Sequence, residues 1–565
     1  MRKHIAIIAI IITIVLFGLV VLRLPGHAQP SDDAVVARMA MPAPDNLEPT
    51  DLSRFDPHKR DLLENLLVGL TRLDAQTGQV EPWLATEWDV SPDGLSWTFA
   101  LRDDIQWIEM VDGEPVPRRP VVAGDFVFAI QRACDPNRPT PLTANLLLID
   151  GCRVTANALD TWRIDQTFLD TTIGVRAIDD QTLVIDLVLP AGYFLTLTAL
   201  PEFRPLPQED LEGDAVWPFG SAFLTNGPWV VVEWNETGMR LAQNPFWPIE
   251  RAGNVDEVQI QFGIPEETVP LRLTSGSLEV ARIPPQSADT VRLAGGDLLR
   301  TADGTTAYLL GFSFEYPPLD NPLFRQALAQ AINREQLARM VSAQDADNVY
   351  RAMQRFTPRN VVATPATAGL GFDPAAAQEA LAEADYTACN GVGGPIDVVV
   401  EDSPATLALG QFVVQQWQVN LGCEGIFRVS TAPRQALVNT AHRTIDASAE
   451  SEARRFPIWL VTWTADYPDA NAWTNDALHC QFGFLQPGRT CELSDTLLEQ
   501  AAAAIDIQTR FTTYTSAEDS FFGPGGSFPV IPLLMTQAYW GQQSWVDGVM
   551  DYGPFQFDRW TIAVE

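Results

Sequence analysis

The chain has 565 residues, of which 46% are hydrophobic and 19% charged, and 37 basic against 72 acidic residues give a net charge of −35. This length is too great for one hydrophobic core, so two to four domains are expected, and the apolar content excludes a disordered chain. The acidic balance argues against nucleic-acid binding, which requires a basic surface.

The N-terminal segment has the pattern of an export signal. Arg2 and Lys3 precede an apolar run over 5–22, and a small-x-small motif ends at Ala28. Because the run is nearly long enough to span a bilayer, residues 1–28 are predicted to be either a cleaved signal peptide or a retained anchor. In both cases the rest of the chain is extracytoplasmic, periplasmic or on the outer face of the cytoplasmic membrane.

Strand and helix patterns alternate after a linker predicted over 29–50, which is rich in Pro, Ala and Asp. Residues 94–107 alternate apolar and polar side chains after a turn, which predicts a strand, and 182–189 has the same character. Residues 123–133 have apolar side chains at helical spacing, which predicts an amphipathic helix.

One long helix is predicted over 320–341. Asn321 is a favourable N-cap, Pro322 occupies the first helical position, and the apolar residues that follow keep a period of about 3.6. Further on, 395–430 reads as strand, helix and strand, which implies parallel strands joined by a right-handed crossover.

The six cysteines fall into neighbouring couples. An exported location permits oxidation, and short sequence separation favours bridges within each couple over other pairings. The couples are Cys134 with Cys152, Cys389 with Cys423, and Cys480 with Cys491. No Cys-x-x-Cys spacing occurs, so a structural role is predicted for them rather than metal binding.

No catalytic motif is present in the sequence. It has no His-Glu-x-x-His, no Gly-x-Ser-x-Gly and no P-loop, and His442 and His479 are isolated. We therefore expect a protein that is not an enzyme and that uses no cofactor or metal.

Six stretches together resemble one family, the extracytoplasmic solute-binding proteins of ABC importers, family 5, which includes peptide, nickel and oligosaccharide types. "WTADYPDANAW", for example, resembles the family's W-x-A-D-Y-P-D-P segment, with Ala470 in place of the second proline. The six stretches, in the order that the family has them, are 80–107, 121–136, 224–247, 317–337, 463–473 and 528–540.

The resemblance implies an α/β, two-lobed periplasmic-binding-protein-like fold of the large type II class, with a hinge between the lobes and an extra sub-domain. The predicted boundaries are 45–75, 200–305 and 528–565 for lobe I, 76–199 for the extra sub-domain, and 306–527 for lobe II.

The resemblance also implies a ligand contact. In peptide-binding members the Asp of the A-D-Y segment pairs with the α-ammonium of the ligand, and this Asp corresponds to Asp466, with Trp463 packing on the ligand and Tyr467 beside it. The alternative is that Asp466 caps its own loop by accepting backbone N–H groups. Asp469 is predicted to be a turn residue.

The remaining contacts stay open. Arg454 and Arg455 are candidates for the ligand's carboxylate, or else a solvated surface pair. Trp463 and Trp473 also suit a sugar stacked on aromatic rings, whereas Trp417 is predicted to lie in the core.

The leading functional hypothesis is a monomer that captures peptides by hinge closure and delivers them to ABC permease subunits. It touches the membrane only through the N-terminal segment, if that is uncleaved. The alternatives are an oligosaccharide or other solute on the same scaffold, or a membrane-tethered sensor or secreted hydrolase that reuses the fold.

Overall fold

The computed structural model describes residues 34–50, 56–74, 77–138, 140, 143–159, 161, 164–211, 223–345, 348–442, 455–549 and 553–563. The predicted signal or anchor lies outside these ranges. Within them, no helix combines the length and the apolarity needed to cross a membrane.

The described strands are β1 (Val36–Ala40), β2 (Thr71–Leu73), β3 (Val80–Pro82), β4 (Ala85–Val90), β5 (Ser96–Leu101), β6 (Gln106–Val111), β7 (Glu114–Pro120), β8 (Val175–Asp179), β9 (Thr182–Asp186), β10 (Trp229–Asn235), β11 (Gly238–Gln243), β12 (Glu257–Gln261), β13 (Val280–Arg282), β14 (Leu299–Phe312), β15 (Tyr350–Ala352), β16 (Ile396–Glu401), β17 (Phe427–Ala432), β18 (Ile458–Thr464), β19 (Val530–Gln542), β20 (Val546–Asp547) and β21 (Thr561–Ile562).

The described α-helices are Pro57–Leu66, Ala123–Cys134, Thr143–Leu146, Cys152–Ala156, Gln166–Thr172, Phe194–Leu197, Gln208–Leu211, Val269–Thr274, Ala288–Ala294, Pro322–Gln330, Arg334–Ser342, Pro374–Glu383, Pro404–Leu421, Arg434–Ala441, Ala470–Leu478, Leu493–Ala503 and Ile507–Phe522.

The sheet of lobe I has the strand order β1-β12-β11-β10. β1 pairs in parallel with β12, with Val36 opposite Glu257. The prediction that residues 29–50 form a linker is therefore wrong for β1. Ala37 and Met39 alternate with more exposed neighbours and are buried in the core, which is the pattern of a strand with one face covered.

A second sheet, β4-β5-β9-β8, belongs to the predicted extra sub-domain and is antiparallel throughout. The helix Ala123–Cys134 packs on β8 and β9. The sub-domain and lobe I share one continuous cluster of buried apolar side chains. This sheet therefore extends the core of lobe I.

The largest sheet has the order β13-β19-β14-β18-β16-β17, with β15 also paired to β19. The predicted strand–helix–strand unit is confirmed, since β16 and β17 are parallel and the helix Pro404–Leu421 connects them. The three predicted disulfides are also confirmed, with Cα–Cα distances of 5.3, 5.0 and 5.2 Å in chain order.

The predicted helix 320–341 is two helices, Pro322–Gln330 and Arg334–Ser342. Asn321 caps the first as predicted, because its side chain accepts hydrogen bonds from Leu323 and Phe324 backbone N–H groups. Asn333 caps the second by accepting from the Gln336 N–H. The single-helix prediction is wrong because this second cap starts a new helix within a continuous apolar pattern.

β14 and β19 run between two hydrophobic cores. Residues 299–303 of β14 pair with 537–541 of β19, and 307–311 pair with 530–535, with a register shift between Asp303 and Ala307. The cluster of lobe I lies on one side of this shift, and a second large cluster, drawn from residues 307–535, lies on the other. We call β14 and β19 the connecting strands.

The two lobes also meet where the loop before helix Phe194–Leu197 approaches lobe II. The Gly192 N–H donates to the Ala502 carbonyl at 2.7 Å. A Cβ at Gly192 would lie 1.7 Å from the Ala504 carbonyl oxygen, so any other residue would collide with this backbone. The next residue, Tyr193, stacks on Tyr467 of the segment that follows β18.

Candidate functional site

The segment 465–469 leaves β18 beside the connecting strands. In the β14–β18 ladder Trp463 lies opposite Ala307, and the Ala465 N–H donates to the Thr305 carbonyl at 3.3 Å. The segment therefore starts at the point where the register of β14 and β19 shifts.

The charge of Asp466 acts on carboxyl groups from both lobes. Asp466 is half-buried, and Glu202, from the lobe I side, is 1% exposed. Burial raises the pKa of Glu202, and the charge of Asp466 adds to this rise. Burial also raises the pKa of Asp476 to about 7, with further contributions from Asp466 and Asp469. Part of each rise thus comes from repulsion between like charges, which a bound cation would relieve.

Glu202 has an incomplete set of partners. One of its oxygens accepts a hydrogen bond from Asn145 Nδ2 at 2.5 Å, while Oε2 is buried with no hydrogen-bond partner in the described part of the chain. A buried acceptor without a donor is costly. The raised pKa of Glu202 fits this arrangement, because a protonated carboxyl group needs fewer donors than a carboxylate.

Tyr467 links the segment to both sides. Its hydroxyl donates to Asp476 at 2.6 Å and accepts from Asn471 at 2.7 Å. Its ring stacks on Tyr193 of the sub-domain, with centroids 5.7 Å apart and planes inclined by 11°. Burial raises the pKa of Tyr467 well above its ordinary value, so the hydroxyl stays protonated and remains a donor.

Asp469 forms a buried ion pair with Arg510, and both side chains are almost completely enclosed. Its carboxylate also accepts from Thr196 Oγ1 at 2.9 Å and from the Asn471 N–H at 2.9 Å, which makes it the N-cap of helix Ala470–Leu478. Asp469 is thus a helix N-cap that also forms a parallel bridge to Val362, and not the turn residue that the sequence predicts. The ion pair and the bond to Thr196 are additional, and they tie three helices together.

The family model described as "Bacterial extracellular solute-binding proteins, family 5 Middle" matches residues 79–484, which is more than half of the chain. The chain belongs to this family. Its segment 463–473 and helix 322–330 are inside the matched range.

Curated relatives align with this chain over different lengths. The dipeptide-binding protein DppE of Bacillus subtilis (strain 168) is 27% identical over 282 residues, which is 50% of this chain and 48% of that protein, or about half its length. The periplasmic oligopeptide-binding protein OppA of Escherichia coli (strain K12) is 25% identical over 530 residues, which covers 89% of each chain.

Solved structures establish the same fold. The unliganded open form of the periplasmic murein tripeptide-binding protein MppA superposes with a TM-score of 0.79 at 20% identity, covering 94% of this chain and 98% of that one. A second structure, of the Escherichia coli murein tripeptide-binding protein MppA, has a TM-score of 0.58 at 20% identity over 94% and 97%. The predicted two-lobed α/β fold of a family 5 solute-binding protein is therefore confirmed.

The other predicted ligand residues of this family 5 protein lie in different places. Trp463 is half-buried, donates from Nε1 to the Ala472 carbonyl at 3.1 Å and packs near Phe484. Trp473 is 1% exposed in the lobe II core and has no accessible face for a ligand in this conformation. Trp473 is therefore not one of the proposed ligand contacts.

Of the two arginine candidates, Arg455 is described, and it is not brought to Asp466. Arg455 lies before β18, where its carbonyl accepts from the Tyr316 hydroxyl at 2.6 Å. Because β18 rises about 3.3 Å per residue, Arg455 is roughly 25 Å from the loop that follows the strand. Arg454 lies outside the described residues.

One apparent metal cluster has a structural explanation. His479, Cys480 and Asp495 place potential ligand atoms close together. Cys480 is in a disulfide with Cys491, and Arg489 donates to Asp495 at 2.6 Å. The sulfur and carboxylate are therefore already committed to other bonds.

Several residues of the site were not predicted, namely Tyr193, Thr196, Glu202, Asn471, Asp476 and Arg510. Thr196 is 273 residues from Asp469 along the chain, and Arg510 is 41 residues away. No local pattern connects such positions. Only the N-cap role of Asp469 had a signal, an Asp directly before a short helical pattern.

The helix that carries Arg510 also carries a buried acid. Glu518 is fully buried and accepts from the Phe356 and Thr357 N–H groups at 3.2 and 3.3 Å. Burial raises the pKa of Glu518 from 4.5 to about 7. The folded state thus retains a proton that the unfolded state releases, so this contribution to stability is complete below pH 4.5 and is lost as the pH rises through 7.

We expect Glu518→Gln, which cannot ionise, to remove that loss. The free energy of unfolding of the native protein should fall more between about pH 5 and about pH 8 than that of the variant, by as much as about 3 kcal/mol. Urea unfolding at both pH values measures the difference, with the exposed Glu379→Gln as control. An equal decrease for all three proteins would contradict the prediction.

Proposed function

We propose that the protein captures peptides outside the cytoplasm by closing its two lobes around them, and that it delivers them to the permease subunits of an ABC importer. The observation that carries this proposal is the position of Asp466. It lies beside the connecting strands, among carboxyl groups from both lobes, where a peptide's α-ammonium would be neutralised.

The relatives support the choice of a peptide. DppE and OppA are named for dipeptide and oligopeptide binding, and the OppA alignment covers 89% of this chain. The protein acts as a binding protein without catalysis or cofactor, and the periplasmic location named for OppA is the one we propose here.

Closure would act through the connecting strands. A solute that contacts both lobes biases the open–closed equilibrium by the contacts it makes only in the closed state. Closure also removes water, which strengthens the pair between Asp466 and an ammonium group.

A thermal-shift screen tests the proposal. Di- to octapeptides, oligosaccharides and divalent metals are each added to the purified protein, and the melting temperature is measured. Mass action predicts a rise with peptides that grows with their concentration, equivalent to about 2.7 kcal/mol at a hundred times Kd. A rise with an oligosaccharide and none with any peptide would show that the assigned solute class is wrong.

A further inference from the structure

The two lobes are joined at a second place besides the connecting strands. In each of its contacts a residue of the sub-domain meets a residue of lobe II. The pairs are Gly192 with Ala502, Tyr193 with Tyr467, and Thr196 with Asp469. They are, in that order, a backbone hydrogen bond of 2.7 Å, a ring stack with centroids 5.7 Å apart, and a side-chain hydrogen bond of 2.9 Å. We call these three contacts the pivot.

The pivot is made largely of buried groups. Thr196 is 1% exposed, and Asp469 is fully buried with Arg510 as its ion-pair partner. Tyr467 and Ala472, which belong to lobe II, are part of the cluster of buried apolar side chains that lobe I forms. A buried hydrogen bond to a charged acceptor is costly to break, because water does not replace the lost partner. The pivot is therefore expected to stay formed when the lobes move.

The backbones of the two lobes touch at the pivot. A Cβ added to Gly192 would lie 1.7 Å from the Ala504 carbonyl oxygen, so only glycine lets the two chains approach this closely. Main-chain atoms have no rotamers to change, unlike long side chains at a surface. The pivot thus fixes the distance between the sub-domain and lobe II at this point.

The pivot continues a line of contacts that starts at the connecting strands. The Ala465 N–H donates to a carbonyl of β14 at the register shift. Beside it, Asp303 of β14 pairs with Arg351 of lobe II at 2.6 Å. Tyr467, a member of the pivot, follows two residues after Ala465. The contacts between the lobes therefore run from the register shift, along the segment that leaves β18, to the pivot.

We propose that the lobes rotate about this line, with the pivot as a fixed second end of the hinge. Two bodies that stay joined at two separate places can move only by turning about the line between those places. The two connecting strands by themselves would also allow the lobes to twist against each other. The pivot prevents that twist and leaves one closing motion. The inference rests on the proposed function for closure itself and adds the axis on which closure occurs.

The proposed axis passes close to Asp466. This residue stands between Ala465, which is bonded at the register shift, and Tyr467, which is stacked at the pivot. Points on a rotation axis move least, so the carboxylate of Asp466 keeps its place as the lobes open and close. A solute would meet this carboxylate in the open form, and closure would then add the contacts that exist only in the closed form.

Distances between pairs of spin labels test the pivot without any ligand. All six cysteines are in disulfides, so introduced cysteines take up the labels selectively. The pivot pair, Val188→Cys with Ile507→Cys, places labels at exposed positions on either side of the pivot. The remote pair, Phe246→Cys with Val419→Cys, places them on the loop after β11 and on the helix between β16 and β17.

Electron paramagnetic resonance should give a narrow distance distribution for the pivot pair and a broad one for the remote pair, because unliganded lobes sample several degrees of opening. Gly192→Ala and Thr196→Val should each broaden the distribution of the pivot pair toward the width of the remote pair. The first substitution forces the two backbones apart. The second removes the hydroxyl that donates to Asp469 and keeps the size of the side chain.

Two matched controls change the same residue types where no pivot contact is involved. A Cβ at Gly393 would meet nothing within 4 Å in the described part of the chain, so Gly393→Ala adds a methyl group to open space. Thr198 lies two residues after Thr196, and its hydroxyl bonds within lobe I, to the Leu195 carbonyl and to Thr71. Gly393→Ala and Thr198→Val should leave the distribution of the pivot pair narrow.

Broadening by Gly192→Ala or Thr196→Val beyond that of its own control supports the pivot. If neither variant broadens the pivot pair, or if this pair is as broad as the remote pair in the unsubstituted protein, the proposal is overturned. A remote pair as narrow as the pivot pair would contradict rotation of the lobes altogether. Since no solute is added, failure of every peptide in the thermal-shift screen would reject the proposed function and leave this result unaffected.

Discussion

Replacing Asp469 with alanine is expected to lower the free energy of unfolding by about 3–5 kcal/mol, because it leaves the buried guanidinium of Arg510 without its counter-charge. Both side chains are at most 2% exposed, so water cannot replace the lost carboxylate. Thr196 and the Asn471 N–H lose an acceptor as well. Urea unfolding followed by circular dichroism measures the effect.

The surface pair of Arg428 and Asp397 provides the matched control. Arg428 is 62% exposed, and removal of Asp397 should cost less than about 1 kcal/mol, as is usual for exposed ion pairs. Combining Asp469→Ala with Arg510→Met should restore part of the stability, because no buried charge then remains unpaired. Equal losses for Asp469→Ala and Asp397→Ala would refute a central role for the buried pair.

The second large effect concerns the ligand. Asp466→Asn is expected to weaken the binding of free-amine peptides by about 10- to 100-fold, which corresponds to the loss of one charge-assisted interaction in a site dried by closure. The substitution preserves the shape of the side chain and removes only its charge. Isothermal titration calorimetry with one peptide series provides the measurement.

N-acetylated peptides serve as the internal control for this variant, because they have no α-ammonium to pair with the carboxylate. Their affinity should change by less than about threefold, the usual context scatter for a lost neutral contact. If both peptide forms lose affinity equally, Asp466 does not pair with the ammonium group. That result would support the alternative that Asp466 caps its own loop.

The sequence-based predictions that the structure confirms concern features whose partners lie close together along the chain. The three disulfides join cysteines 18, 34 and 11 residues apart, and the β16–helix–β17 unit occupies one continuous stretch. Asn321 caps a helix within three residues of itself. In each case one short segment contains all the partners, so spacing and residue type are sufficient.

Two local predictions were wrong for identifiable reasons. The apolar period of 320–341 continues through the break before Asn333, because both short helices cover the same core with similar side chains. β1 was missed because Pro, Ala and Asp dominate the residues around it, although Ala37 and Met39 are buried. A strand whose partner, β12, follows more than 200 residues later has a weak signal of its own.

The sequence alone predicted an exported, acidic, two-lobed α/β protein with local disulfides, and it pointed to Asp466 by family resemblance. Tertiary structure alone decided which charges meet. It buried Asp469 against Arg510 and Thr196, placed Glu202 near Asp466, and brought Arg351 and Arg359 to the connecting strands. The physical reason is that electrostatic interactions depend on distance and burial in space, and neither follows from spacing along a chain whose partners are tens to hundreds of residues apart.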